Sequence, residues 1–250
     1  MEKSIDIGKA FRHLFDDPDW KTKMLLGALL VIVPILNFVV MGYEVRVIRN
    51  VSKGEGRPMP AWDDFGGLFS DGLQLGLARL VYILPTLIFI LPFFFLFFLP
   101  ILLAIVTGGD SDALDRLFGA ALGIGFLIAF AGFGLTMIYS VLVGLLMPAV
   151  TAHFVKRNTF AACFELRAIF DFIRRDVSTY LTVWVASLLA GLAVAGVYMV
   201  VNFIPCIGSL FAIPVSMAGG FFIFMVNGHA IGQALALESS TGGQHELSTT

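Results

Sequence analysis

Charged positions are spread very unevenly along this 250-residue chain, and the gaps between them predict its elements. From Val177 to Leu237 there is no Asp, Glu, Lys or Arg in 61 residues, and Leu80–Gly109 and Leu117–Val155 are two further charge-free runs. A hydrocarbon core about 30 Å thick is crossed by roughly 20 apolar residues of helix, so the longest run holds two crossings and a turn. The pattern predicts four long spans, Arg79–Val106, Leu117–Val150, Ser178–Val201 and Ser209–Leu235.

The connections carry opposite signs. Thr107–Arg116 is acidic (Asp110, Asp112, Asp115), whereas Thr151–Asp176 is basic (Lys156, Arg157, Arg167, Arg174, Arg175). Because Lys and Arg accumulate in cytoplasmic loops, the basic connection and the C-terminal tail are expected inside and the acidic loop outside. The first apolar stretch, Met24–Tyr43, is interrupted by Pro34 and Asn37. A single crossing there would leave Lys3, Lys9, Arg12, Lys21 and Lys23 outside; folding back at Pro34–Asn37 brings them inside with the loop that carries Arg46, Arg49, Lys53 and Arg57. The sign rule favours the hairpin. Its first arm, Lys21–Val33, is only about 20 Å long at 1.5 Å per residue, so the hairpin is expected to be short or re-entrant, with its turn covered by protein.

A recurring motif precedes the hairpins. Phe11, Leu14 and Phe15 followed by Asp16-Asp17 match Phe65, Leu68 and Phe69 followed by Asp71, and Leu166, Ile169, Phe170 and Asp171 form a looser third copy. Apolar residues at i, i+3 and i+4 predict short amphipathic helices. In the third, Arg167, Asp171, Arg174 and Arg175 share one stripe opposite Leu166, Ile169, Phe170 and Ile173. A helix so patterned suits the inner membrane surface, with Arg167, Arg174 and Arg175 contacting lipid headgroups. The fold class read from these patterns is an all-α polytopic membrane bundle. It has three helical hairpins (six membrane-embedded segments, the first hairpin short or re-entrant), each preceded by a cytoplasmic-side amphipathic helix. Residues 1–237 form a single membrane domain and 238–250 a flexible tail.

Composition agrees with that class. The chain is 58% hydrophobic and only 14% charged, against about 25% charged in an ordinary soluble domain, which leaves no room for a separate soluble catalytic module. Charges run through residues 1–23 before the first apolar run, so no cleavable signal peptide is expected. Cys163 and Cys206 fall on opposite sides of the membrane in this topology and lack metal-ligand spacing.

Candidate chemistry is sparse. The motifs of zinc proteases, phosphate-binding loops and serine hydrolases are all missing from the sequence. Trp62-Asp63-Asp64 after Pro60 reads most simply as a helix start with acids in its first turn. His153, His229 and Asn227 are the polar groups of note near the inner ends of the long spans, and form a candidate polar pathway. Gly132, Thr136, Ser140 and Gly144 recur every four residues and are read as a helix-packing stripe. Pro85, Pro92 and Pro100 are expected to bend one span.

Several short motifs are recognisable together: Asp17-Pro-Asp-Trp20, Pro34-Ile-Leu-Asn37, Gly42-Tyr43, Arg49-Asn50, Pro60-Ala-Trp-Asp-Asp-Phe65 and Asp71-Gly72. In these the chain resembles a prokaryotic membrane-protein family catalogued as domain of unknown function 4013, densely over residues 11–85. The resemblance implies a bacterial or archaeal integral membrane protein and carries over no catalytic residues and no cofactor. The expected function is therefore non-enzymatic: a membrane-organising or scaffold protein of the inner membrane, multi-pass, with both termini cytoplasmic. Its partners would be membrane lipids and a possible homo-oligomer, with no nucleic acid and no cofactor or metal. The alternative is a small transporter or channel, disfavoured because no charged residue is expected at mid-span.

Overall fold

The computed structural model of the protein describes residues 4–107, 112–204 and 208–247. Asp110 of the acidic connection and Cys206 lie outside the described residues. The described chain is helical: α1 (Ile7–Arg12), α2 (Trp20–Ile32), α3 (Asn37–Ser52), α4 (Phe65–Thr107), α5 (Asp112–Arg157), a 3-10 turn (Phe160–Phe164), α6 (Leu166–Arg175), α7 (Val177–Asn202) and α8 (Gly208–Leu247). Helices long and apolar enough to cross a membrane are found over Phe65–Pro92, Gly125–Arg157, Val177–Asn202 and Leu210–Ser240. The chain divides into two compact units, Met1–Ala78 with Met147–Thr250, and Arg79–Leu146.

Local chemistry sets the boundaries. Asp6 caps α1 by accepting from the Lys9 N–H, and Asp176 caps α7 by accepting from the N–H and Oγ1–H of Thr179. α2 stops at Val33, extended because Pro34 follows. α3 ends where Gly54 adopts a positive φ of 76°, its N–H bonding back to the Val51 carbonyl.

Within the first unit, α3 is the central element. Nine of its residues are buried, among them Val39, Val40, Tyr43, Val47 and Ile48. It runs parallel to α8: Glu44 lies against Gly228, and Val51 against Gly232. α2 runs the opposite way, with Gly27 against Phe221 and Val31 against Gly220. A methyl group at Gly42 would overlap the Leu68 carbonyl, and one at Gly72 would overlap that of Phe38, so α3 and the first turns of α4 cross backbone to backbone.

The resemblance motifs converge on this crossing. Arg49 pairs with Asp71 at 2.7 Å, and Arg46 pairs with Asp64. The Tyr43 hydroxyl donates to the Pro60 carbonyl at 2.7 Å while its ring stacks on Trp62 at 4.1 Å. Asn50 donates to the Pro58 carbonyl, and Lys23 joins Asp17 to the Met59 carbonyl.

Three expectations change. Arg46 and Arg49 sit on α3 rather than in a loop, because the apolar period continues through Val47, Ile48 and Val51 after the hydropathy run ends. The second amphipathic segment, Phe65–Asp71, is no separate helix but the start of α4, since Leu68 and Leu75 extend its buried face without a break. The hairpin turn is not covered by described residues: Ile32, Val33, Ile35 and Leu36 are all exposed. That exposure is tolerable because the turn satisfies backbone groups locally, Asn37 N–H to the Val33 carbonyl and Val39 N–H to that of Leu36. α8 continues as helix to Leu247. α4 also runs unbroken through Pro85 and Pro92.

In the second unit, the distal parts of α4 and α5 pack as a hairpin. The Tyr139 hydroxyl donates to the Tyr82 carbonyl at 2.7 Å, and Gly132 lets α5 approach the Phe89 carbonyl.

Candidate functional site

Period 3.6 puts residues 40, 44, 47, 48 and 51 of α3 on one face. All but one are aliphatic; the exception is Glu44, which is fully buried. Its carboxylate accepts from Asn227 Nδ2 of α8 at 2.7 Å, and Asn227 Oδ1 accepts from the Ser187 hydroxyl of α7 at 2.8 Å. Three helices thus share one polar thread. Ser187 stands ten residues beyond Val177, about 15 Å along α7, and Asn227 stands about 16 Å along α8 from Glu238 at 1.5 Å per residue. Glu238 itself is tied to Lys156 and Arg175. No charged residue is expected at mid-span; the run Val177–Leu237 of α7 and α8 carries none, but α3 brings Glu44 against it.

Next to the thread along α8 is a polar cavity of about 440 Å³. Gln233 anchors its wall: it accepts from the Asp6 N–H, which fixes the amide orientation, so its NH₂ donates to the Asp6 carbonyl and to His229 Nδ1. His229 is therefore the Nε2–H tautomer. The ring of His13 lies 4.3 Å from it, and His13 Nδ1 donates to the Ala10 carbonyl at 2.7 Å. The two imidazoles are opposite tautomers. Burial pushes the His13 pKa down to about 4 against the raising influence of its Ala10 bond and of Asp16 and Asp17, so the ring is neutral.

Of the polar pathway read from sequence, the structure brings His229 and Asn227 into this region, two residues apart on α8 but engaged with different neighbours. His153 is separate, bonding Glu165 at 2.9 Å; that bond holds the exposed Glu165 carboxyl below its usual range. Of the helix-packing stripe, Gly132 meets Phe89, Thr136 Oγ1 is buried without a partner among the described residues, and Ser140 and Gly144 are exposed. Arg167, Arg174 and Arg175 are all exposed on α6. Cys163 is buried in the 3-10 turn. Sequence reading missed Glu44 and His13. The helical period through Val40, Val47 and Ile48 could have exposed Glu44, but His13 carries no local signal because the ring it packs against, His229, is 216 residues away.

Among the described residues no cluster of three or more His, Cys, Asp or Glu is arranged to hold a metal ion. A second cavity, about 670 Å³ and apolar, lies between the distal halves of α7 and α8, where Gly191, Ala195 and Gly220 leave space.

Helices of this length and apolarity, with outward faces of exposed Leu, Ile and Phe, define a membrane-embedded helical protein. The family model described as "Protein of unknown function (DUF4013)" matches residues 25–205, more than half of the chain. The chain belongs to that family. No curated protein and no solved structure matches it.

Proposed function

We propose that this is a non-enzymatic membrane-organising protein of the prokaryotic inner membrane. In this reading it has six membrane-embedded segments, both termini are cytoplasmic, and lipids are its principal partners. The supporting observation is the length and setting of the α2–α3 hairpin. Gly27 against Phe221 sets Trp20 and Lys21 level with about Gly228 on α8. From there α8 runs about 30 Å to Gly208, the thickness of a hydrocarbon core, while the 13 residues of α2 cover about 20 Å. The hairpin would end about 10 Å short, with Ile32, Val33, Ile35 and Leu36 bare in the acyl region. Six segments would then occupy the inner leaflet and four the outer. α6, with its exposed arginines, would add area on the same side. Such asymmetry displaces more lipid from one leaflet than from the other.

Two measurements test the reading. Reconstituted into liposomes, the protein should change vesicle shape or the signal of a packing-sensitive lipid dye; unchanged vesicles at high protein density would end the proposal. Thiol labelling of intact cells, in a background lacking Cys163 and Cys206, should mark Asp112→Cys from outside and leave Ile35→Cys dark. Strong external labelling at position 35 would mean that the hairpin crosses completely.

The Glu44–Asn227–Ser187 thread supports a second reading, a small transporter, because an enclosed carboxylate among membrane helices is a usual device of ion coupling. Transport would require Glu44→Gln to abolish proton- or cation-driven uptake; unaltered membrane shape activity in that variant would separate the two readings.

A further inference from the structure

The cavity beside His13 goes beyond either reading. Its wall carries four carboxylates, Asp6, Asp16, Asp17 and Glu55, and two cations, Lys9 and Arg57. Lys23 neutralises Asp17 from just outside, at 2.7 Å. One negative charge is left in excess. Asp16 and Glu55, like Lys9 and Arg57, make no side-chain hydrogen bond or ion pair among the described residues, so both signs of charge stand ready for a ligand.

A second observation is independent of charge. His13 is 95% buried (5% exposed) and lines this cavity, yet its Nε2 has no hydrogen-bond partner among the described residues. Because Nδ1 carries the proton donated to Ala10, Nε2 is a bare acceptor. A buried acceptor left unsatisfied is destabilising, and a ligand N–H would remove that cost. The cavity volume also falls within the usual range for small-molecule sites.

We propose that this cavity binds the phosphoethanolamine group, with its primary ammonium donating to His13 Nε2 and balanced by Asp16 and Glu55, and its phosphate on Lys9 and Arg57. The ammonium must be primary or otherwise carry N–H, since a quaternary one has nothing to donate to Nε2. That requirement separates this site from a merely acidic surface. The group can come from two sources, free phosphoethanolamine or the headgroup of phosphatidylethanolamine, and the cavity's position level with the start of α2 suits either.

The test uses the full chain in nanodiscs of phosphatidylcholine and phosphatidylglycerol. O-Phosphoethanolamine should raise the melting temperature saturably, and phosphocholine, equal in charge but without N–H, should bind at least tenfold more weakly. His13→Phe, which keeps a ring against His229, should erase that discrimination. Asp16→Asn, at an exposed position where folding is safe, should weaken O-phosphoethanolamine tenfold or more. Equal responses to the two compounds, no response to either, or unchanged binding in Asp16→Asn would overturn the proposal and leave a cavity that holds solvent only. Repeating the titration with phosphatidylethanolamine in the nanodisc assigns the source within the proposal. Loss of the soluble ligand's effect marks the lipid headgroup, and an undiminished effect marks the free compound. None of these readouts depends on vesicle shape, so failure here and failure of the membrane-organising reading are distinguishable.

Discussion

The unit around α3 and the Arg79–Leu146 unit are made of similar apolar residues but are held by different means. Around α3, backbones touch at Gly42 and Gly72, and polar side chains tie helix to helix, Arg49 to Asp71, and helices to loops, Tyr43 to Pro60 and Lys23 to Asp17 and Met59. In the other unit, most of the large side chains that are described face outward. Leu84, Ile88, Phe126, Phe130 and Ile138 are exposed, and Gly134 and Gly144 have open space where a Cβ would stand. In lipid, outward apolar faces gain nothing by packing against one another, so helix association depends on close approach and on hydrogen bonds. The first unit has both in quantity. Among the described residues of the second, Gly132 and the Tyr139 hydroxyl supply contacts of these kinds.

The sharpest way to break the comparison is to add side chains at glycines. Gly72→Val and Gly42→Leu would each drive a side chain into a facing carbonyl, and neither backbone can retreat without opening the α3–α4 crossing. We expect no monodisperse protein from either variant by size-exclusion chromatography. Gly144→Leu, with nothing within 4 Å of the added Cβ, should elute and melt like the parent. If all three behaved alike, the crossing at Gly42 and Gly72 would not be the organising contact.

Removing the buried carboxylate comes next. Glu44→Ala leaves Asn227 Nδ2 facing a void and should cost about 3–5 kcal/mol, from the orphaned donor together with the lost side-chain volume. Glu44→Gln retains an acceptor for Asn227 and should cost markedly less. Thermal melts in one detergent would read both. A near-equal loss in the two variants would show that charge, not the hydrogen bond, matters at this position.

These two tests also separate what hydropathy could reveal from what it could not. Charge-free runs located the long apolar helices, because so long a gap between charges is informative without knowledge of any neighbour. The same criterion closed the first apolar stretch at Tyr43, one residue before Glu44, and assigned Arg46 and Arg49 to a loop. The helical period of Val40, Val47, Ile48 and Val51 holds the correction, visible only if a charged residue is allowed on an apolar face. The functions of Gly42 and Gly72 were less accessible still: a glycine in sequence does not say which carbonyl, 26 or 34 residues away, it must admit. The resemblance motifs were noticed as words, and the structure shows the contacts that they make.

A smaller effect should follow from pH. The His13 imidazole is held neutral, its pKa near 4 when folded against 6.5 when unfolded. Between those values the unfolded chain binds more protons, so stability falls as pH drops from 6.5 toward 4 and levels off below. The slope approaches about 1.4 kcal/mol per pH unit, for a total of up to about 3 kcal/mol. His13→Phe should flatten the dependence of melting temperature on pH in that window. An unchanged slope would assign the acid sensitivity to other groups.

The smallest effects allow the most direct comparison, because each unit contains a tyrosine hydroxyl donating to a main-chain carbonyl at 2.7 Å, Tyr43 to Pro60 and Tyr139 to Tyr82. The bonds match in length and differ in setting. Tyr43 is fully buried, and its bond tethers the 53–64 connection to α3; Tyr139 is half-buried and joins two helices whose own hydrogen bonds persist without it. Tyr43→Phe leaves a carbonyl that water reaches only if the connection lifts, so it should cost about 1–2 kcal/mol, whereas Tyr139→Phe should cost about 0.6 kcal/mol, near the average for interhelical bonds in lipid. Tyr43→Phe should also speed proteolysis within residues 53–64 while Tyr139→Phe leaves it unchanged. If Tyr139→Phe proved the more damaging, the sparse unit would be the one that depends on its few polar locks, and the contrast between the two regions would be reversed.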